Sequence, residues 1–308
     1  MNTSKILITG ATGDTGGYAI DRLLEQGRAV RALAHAKDER SEKLRQRGVE
    51  VVYGDLLDFG QVRAALDGVR GAYFVYPVRP GIIQATAYFA HAAKEAGVES
   101  IVNMSQIIAR EDANSRSARD HWVAERVFEW SGIAVTHLRP TFFAEWLLYN
   151  APMVKAGTLP WVAGTDKAAL VAAEDQARVI VGILENPTPH RGKVYPLFGP
   201  KEYTPPEIAQ VLGRVLGKDI RHMQVDPEEV LQNRGSGAPA PGRVNARNLY
   251  GWSSDSGARS FLLEHMRLIA TDLQAGLFAG TNDVIETIGG RPPMSLEAFI
   301  EKHRKAFE

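Results

Sequence analysis

The chain contains no cysteine. Disulfides, thiolate zinc centres and cysteine nucleophiles are thereby excluded, and the composition fits a reducing compartment. Net charge is also missing, because 36 Lys and Arg balance 36 Asp and Glu. No global field therefore favours nucleic acid or an anionic membrane surface, and a small anionic ligand must be held by local groups. No apolar run approaches the roughly 20 residues that span a bilayer. The first strand, expected near Lys5, leaves no room for a signal peptide, so a cytoplasmic location is expected. Internal repeats and low-complexity tracts are absent. So are a Gly-x-Ser-x-Gly elbow, a Gly-Lys-Ser/Thr phosphate loop and, among eight histidines, any His-x-x-x-His pair, and no metal site is expected. The 308 residues suffice for one large domain or two modest ones.

What is present begins at once. The stretch ILITGATGDTGGYAI, Ile6 to Ile20, places Gly10, Gly13 and Gly16 at a spacing of three. A continuous apolar run precedes it, as in a strand buried on both faces, and Tyr18, Ala19, Leu23 and Leu24 follow at helical spacing up to Gly27. Strand, glycine turn and helix together give the motif its meaning: Gly10 permits the tight turn, Gly13 the close approach of a pyrophosphate, and Gly16 the packing of helix on strand. Glycines used for backbone reasons alone are the alternative. On the first reading Thr12, Asp14 and Thr15 border the same anion site.

Strand-like runs recur at Ala29 to Ala34, Glu50 to Tyr53, Ala72 to Tyr76, Ser100 to Met104 and Ala134 to Leu138, with helical patterns between them, notably Ile82 to Ala96 and Arg116 to Trp130. This alternation predicts an α/β fold, a doubly wound parallel Rossmann sheet, over residues 1–150. Residues 151–308 read as a smaller, mostly helical C-terminal substrate part with a strand at Lys193 to Phe198, and the first domain is left open to regain a strand from the later chain. Thr204-Pro-Pro-Glu207 and Asp226-Pro-Glu-Glu229 carry helix-start spacings, Arg234 to Gly242 reads as a loop, and Leu262 to Leu277 and Leu296 to Phe307 as helices.

In a dinucleotide fold an acidic residue about 20 positions beyond the glycine turn holds the ribose hydroxyls of NAD. Counting 19 from Gly16 reaches His35, where no carboxylate stands. His35, Lys37 and Arg40 instead offer cations to a 2′-phosphate, which points to NADP. Asp38 and Glu39 temper that reading, and a solvated loop is its alternative. Asp55 and Leu56 follow the third strand, where they meet the adenine edge or, for Asp55, simply cap a turn. Tyr76, Pro77 and Val78 leave the fourth strand where the two halves of a dinucleotide join; a packing role for Tyr76 is the competing reading.

These residues resemble the short-chain dehydrogenase/reductase superfamily and, more narrowly, its atypical NmrA-like branch. The resemblance rests on TGATGDTG (Thr9 to Gly16), VRALAH (Val30 to His35), Gly54-Asp55, SGIAVTHLRPTFFAEWL (Ser131 to Leu147) and LFGPKEYTPPEIAQVLGRVLG (Leu197 to Gly217). It implies either an NADPH-dependent reductase of quinones or dyes or an NADP-binding redox-sensing regulator without turnover. The superfamily's Tyr-x-x-x-Lys pair is missing, since none of the nine tyrosines has lysine four residues later. Ser117 and His121 resemble its two positions. A serine cannot replace a phenol as acid, so alcohol–carbonyl chemistry is in doubt, whereas hydride transfer to an electron-poor conjugated acceptor needs no strong acid. His121, as hydrogen-bond donor to ribose or substrate or as proton carrier, and Ser105, which resembles the family's active-site serine, are the catalytic candidates; both also have ordinary structural readings. Phe143 is expected against the nicotinamide and Phe142, Trp146 and Tyr149 against an aromatic substrate, with core packing as the alternative. Trp146 stands where the family usually has Asn. The expected partner is a small molecule; a homo-oligomer is left open.

Overall fold

The structure, a computed structural model, describes residues 5–162, 164–229 and 256–308. The Gly/Pro-rich stretch Arg234 to Gly242 lies outside the described residues. Seven strands form one parallel sheet in the order β3-β2-β1-β4-β5-β6-β8: β1 (Lys5–Ile8), β2 (Val30–Ala34), β3 (Glu50–Tyr53), β4 (Val69–Phe74), β5 (Ser100–Met104), β6 (Ala134–Pro140) and β8 (Val194–Leu197). β7 (Thr158–Trp161) and β9 (Arg221–Gln224) make a separate parallel pair.

Helices cover both faces because each strand is apolar on both. Ile6 and Ile8 face one layer and Leu7 the other, and the same alternation splits Tyr73 from Phe74 and Val102 from Ile101. On the first face Ile20 and Leu23 of α1 (Asp14–Glu25) meet Val179, Ile180 and Ile183 of α8 (Ala173–Glu185). On the second, α3 (Phe59–Leu66), α4 (Ile82–Glu95) and α5 (Arg116–Trp130) bring in Val62, Phe89 and Phe128; Phe74 contacts the two phenylalanines at centroid distances of 4.9 and 5.2 Å. A third core binds the C-terminal part: Leu147 of α6 (Trp146–Tyr149), Ile208 and Leu212 of α9 (Pro205–Leu216), Leu273 of α10 (Ser256–Gln274) and Phe299 of α12 (Leu296–Lys302). Thr204 caps α9 in a reciprocal box with Glu207, and Asp226 Oδ1 accepts from the Glu228 amide at 2.7 Å. The expected helix Leu296 to Phe307 is interrupted at His303, which caps the short α13 (Arg304–Phe307).

The tightest joint lies between β1 and α1. A Cβ on Gly16 would stand 2.4 Å from the Gly10 carbonyl oxygen and 2.9 Å from its carbon, and backbone cannot give way as a side chain can. Gly16→Ala is therefore expected to lower stability by about 2–3 kcal/mol, read as a fall of several degrees in melting temperature without coenzyme. Gly13→Ala, whose added carbon would meet Gly10 O at 3.2 Å, should fall by less. Equal melting temperatures for the two variants would contradict this account.

Candidate functional site

The sheet order reverses between β1 and β4, so the loops leaving their carboxyl ends diverge and open a crevice. It holds a cavity of about 500 Å³. Its base is the turn Gly10 to Thr15. Gly10 adopts φ +57°, and a side chain there would overlap Val75 Cγ1 at 2.4 Å. Thr9 ties the two diverging loops together: its Oγ1 accepts from the Val75 amide at 2.8 Å and donates to the Val75 carbonyl at 3.2 Å. Thr15 Oγ1 lies 2.9 Å from the buried Tyr73 hydroxyl, whose ionisation burial suppresses. Asp38, Asp58, Ser115 and Thr204 cap α2 (Glu39–Gln46), α3, α5 and α9 with their side chains, whereas the N-cap of α1, Gly13, has no side chain with which to do so. Its first-turn amides face a cradle that any Cβ at Gly10 would crowd. That arrangement fits the diphosphate of a dinucleotide.

One end of the cavity is walled by Leu33, His35, Asp38, Arg40, Asp55 and Leu56. Arg40 grips Asp38 Oδ2 through Nε at 3.0 Å and Nη2 at 2.5 Å, while Asp38 Oδ1 caps α2. Burial opposes ionisation of Asp38, but the Ser41 amide and the guanidinium outweigh it and hold the carboxyl below its ordinary value. Asp55 Oδ1 accepts from the Leu57 amide at 2.9 Å, and His35 Nδ1 stands 3.8 Å from Asp55 Oδ2. Lys37 is exposed and outside this wall. Arg79 lines it from the loop after β4, its guanidinium 5.3 Å from the ring centre of Tyr76. Arg79 was not singled out from sequence, and Asp38 was named there only as a carboxylate tempering the 2′-phosphate reading; its cap on α2 is a finding of the structure.

At the other end Tyr76, Pro77, Phe143 and Tyr149 line the cavity. Val78 lies outside it, packed with Trp146 against Leu262 and Met266 of α10. Phe142 stacks on Phe278 at 4.4 Å and meets Trp161 edge-on at 5.4 Å, within the third core. Tyr149 reaches the glycine turn: its hydroxyl donates to Asp14 Oδ2 at 2.6 Å.

Ser117, His121 and Glu125 form one line along the buried face of α5, a turn apart, beside the end of β5. None lines the cavity under the glycine turn, nor does Ser105. Glu125 is fully buried and accepts Arg139 twice, at 2.9 and 2.5 Å, and Ser105 Oγ at 2.5 Å. With its proton committed to that carboxylate, Ser105 can meet a substrate only as an acceptor. Gln106 Nε2 donates to Ser117 Oγ at 3.2 Å, leaving Gln106 Oε1 buried without a partner among the described residues. His121 has no hydrogen-bond partner among the described residues. Burial, aided by the neighbouring His265, pushes its pKa down to about 3, and burial lowers His265 to about 4. Both imidazoles are neutral at pH 7. His121 can share a hydrogen bond there but stores no proton.

A sequence model of the NmrA-like family matches residues 2–258. The NAD(P)H azoreductase of Xenophilus azovorans is 29% identical over 98% of this chain and 99% of its own length. A (4-alkanoyl-5-oxo-2,5-dihydrofuran-3-yl)methyl phosphate reductase of Streptomyces griseus is 30% identical over 98% of this chain and 99% of its own. Among solved structures, triphenylmethane reductase of Citrobacter sp. superposes with a TM-score of 0.76 at 25% identity, covering 98% of this chain and 99% of its own. NADPH-dependent quinone oxidoreductase of Escherichia coli, complexed with NADPH, gives the same TM-score at 24% identity, covering 97% and 99%, a likeness of fold.

The buried histidines set the response to acid. His121, His265 and His137, the last also lowered by burial to about 4, must be charged on unfolding but stay neutral when folded. Their stabilisation is complete above the unfolded pKa near 6.5 and is lost as pH falls toward the folded values. Unfolding free energy is thus expected to drop between pH 6.5 and 4, each histidine approaching about 1.4 kcal/mol per pH unit. Urea titrations across that range should show a shallower slope in His265→Gln.

Proposed function

Because the chain belongs to the NmrA-like family, we propose that it is an NADPH-dependent reductase of electron-poor conjugated compounds of the quinone and dye type. The observation that carries this reading is the crevice itself: an uncapped helix start over a glycine cradle, cations beyond β2, and aromatic walls beyond β4 and β6. Relatives spanning nearly the whole chain support it. The acceptors in their names, an azo compound and an alkanoyl-substituted oxo-dihydrofuran, share with a quinone an electron-poor π-system that can take a hydride. NADPH, when bound, supplies that hydride.

The chain's own contribution is position and field. The α1 amides would hold the diphosphate, and His35 and Arg40 the 2′-phosphate, with Arg40 held in place by Asp38. Tyr76, Pro77 and Phe143 would wall the nicotinamide. Val78, Trp146, Leu262 and Met266 form an apolar cluster beside that end, suited to a flat aromatic acceptor. His121, neutral and without a hydrogen-bond partner among the described residues, is buried outside the cavity wall and can supply at most one hydrogen bond from beside it, while conjugation spreads the charge of the reduced acceptor. The proton that completes reduction then comes from water. A regulator without turnover is the second reading. The NmrA transcriptional regulator shares the fold, with a TM-score of 0.68 at 18% identity, but the long matches to reductases favour the first.

NADPH oxidation followed by absorbance against a panel of quinones, azo dyes and triphenylmethane dyes should reveal turnover with at least one acceptor. Silence across the panel, with NADPH bound, would move the assignment to the regulator. Arg40→Ala is expected to raise the KM for NADPH by about 10- to 100-fold while leaving that for NADH within about twofold. A parallel rise for both coenzymes would remove Arg40 from 2′-phosphate recognition.

A further inference from the structure

The first residue of α1 is acidic. In the free protein Asp14 suits the positive end of a helix, yet its side chain lines the cavity in which the proposed coenzyme would add the charges of a diphosphate. Tyr149, reaching over from α6, donates to Asp14 Oδ2 at 2.6 Å and so fixes the carboxylate beside the glycine turn. Behind it lies Glu145, 4% exposed, both of whose oxygens accept the amide of Ala173, the first residue of α8, at 3.0 and 3.1 Å. The charges facing Glu145 are Asp14 from α1 and Asp175 from α8. The one nearby cation described on α8, Arg178, is committed to Asp175 at 2.5 Å and to the carbonyls of Gly289 and Arg291. Burial first, then the charge of Asp14, push the Glu145 carboxyl up to about 8.

We propose that the Asp14–Glu145 pair makes coenzyme binding proton-linked: a diphosphate docked at α1 keeps, or draws from solvent, one proton on this pair, with Tyr149 as the residue that positions Asp14. The inference rests on the coenzyme assignment made above. The balance is simple, since one solvent proton joins one carboxylate oxygen and no other bond changes. Near pH 7 the proton is already on Glu145, so binding takes up little. Above pH 8 the free protein has lost it and the complex must recover it. Coenzyme affinity therefore falls as pH rises, at up to about tenfold per pH unit.

The test is calorimetric titration with NADP⁺ at pH 7.0 and 8.8, each in two buffers of different ionisation enthalpy. At pH 8.8 uptake of about half a proton or more is expected, against far less at pH 7.0. NAD⁺, which lacks the 2′-phosphate, should show the same uptake and thereby separate this end of the cavity from Arg40. Glu145→Gln should abolish the effect. Because a change inside the core can unfold the chain, Asp14→Asn provides a second arm at the cavity surface: about fivefold or more tighter binding at pH 8.8 and diminished uptake. Binding of NADP⁺ at pH 8.8 without proton uptake, or uptake unchanged in Asp14→Asn, overturns the proposal and leaves the coenzyme assignment standing. Absence of binding at both pH values overturns both.

Discussion

Helix α1 meets the end of β1 backbone against backbone. Only at a residue with no side chain can the Gly16 Cα come this close to the Gly10 carbonyl, and that closeness fixes where the first-turn amides of α1 stand relative to the sheet. The rest of the crevice is arranged around the result. Thr9 stitches the turn to Val75 at the point where the strand order reverses, and Thr15 anchors the helix start to Tyr73 inside the first layer. The cradle is thus set by covalent geometry and by two hydroxyl contacts from β4 and its following loop, before any ligand arrives.

Charge is distributed unevenly along the crevice. The end beyond β2 holds His35 and Arg40 with Arg79 opposite, while the glycine end holds Asp14 backed by the buried Glu145. A chain of zero net charge therefore carries a local gradient along the crevice, positive beyond β2 and negative at the glycine turn. The helix start offsets part of the negative end. Farther along, the buried line of α5 holds Glu125 in two parallel hydrogen bonds from Arg139 and leaves His121 neutral.

The parallel core was legible in the sequence because strands buried on both faces write continuous apolar runs. Glu50 to Tyr53, Ser100 to Met104 and Arg116 to Trp130 are found with the bounds the pattern gives. Where bounds moved, a long-range partner moved them. β4 starts at Val69, masked by Arg70 and Gly71, of which Arg70 pairs outward with Glu99; it ends at Phe74 because Thr9 takes the Val75 amide out of the ladder. β6 runs on to Pro140, since Arg139 and Pro140 pair with Pro196 and Leu197 of β8. The glycine turn was equally readable. Tyr149 and Glu145 were not, because their meaning lies in a contact across 135 positions to Asp14 and in the amide of Ala173; nearby aromatics drew the first toward a substrate wall and hid the second. Asp38 was legible only as a charge tempering the cations after β2, because its cap on α2 and its grip on Arg40, two residues on, depend on side-chain geometry that spacing does not fix.

The chain leaves the large sheet at Pro140, runs through β7 and α8, and returns as β8 to close the edge along β6. A fragment ending at residue 150 would expose the amides of that edge and uncover Ile20 and Leu23, which α8 otherwise shields. The nucleotide-binding layer is for that reason not a detachable cassette. A chimera built between relatives must exchange α8 and β8 along with the first six strands, or it will trade a folded sheet for one that recruits strands from its neighbours.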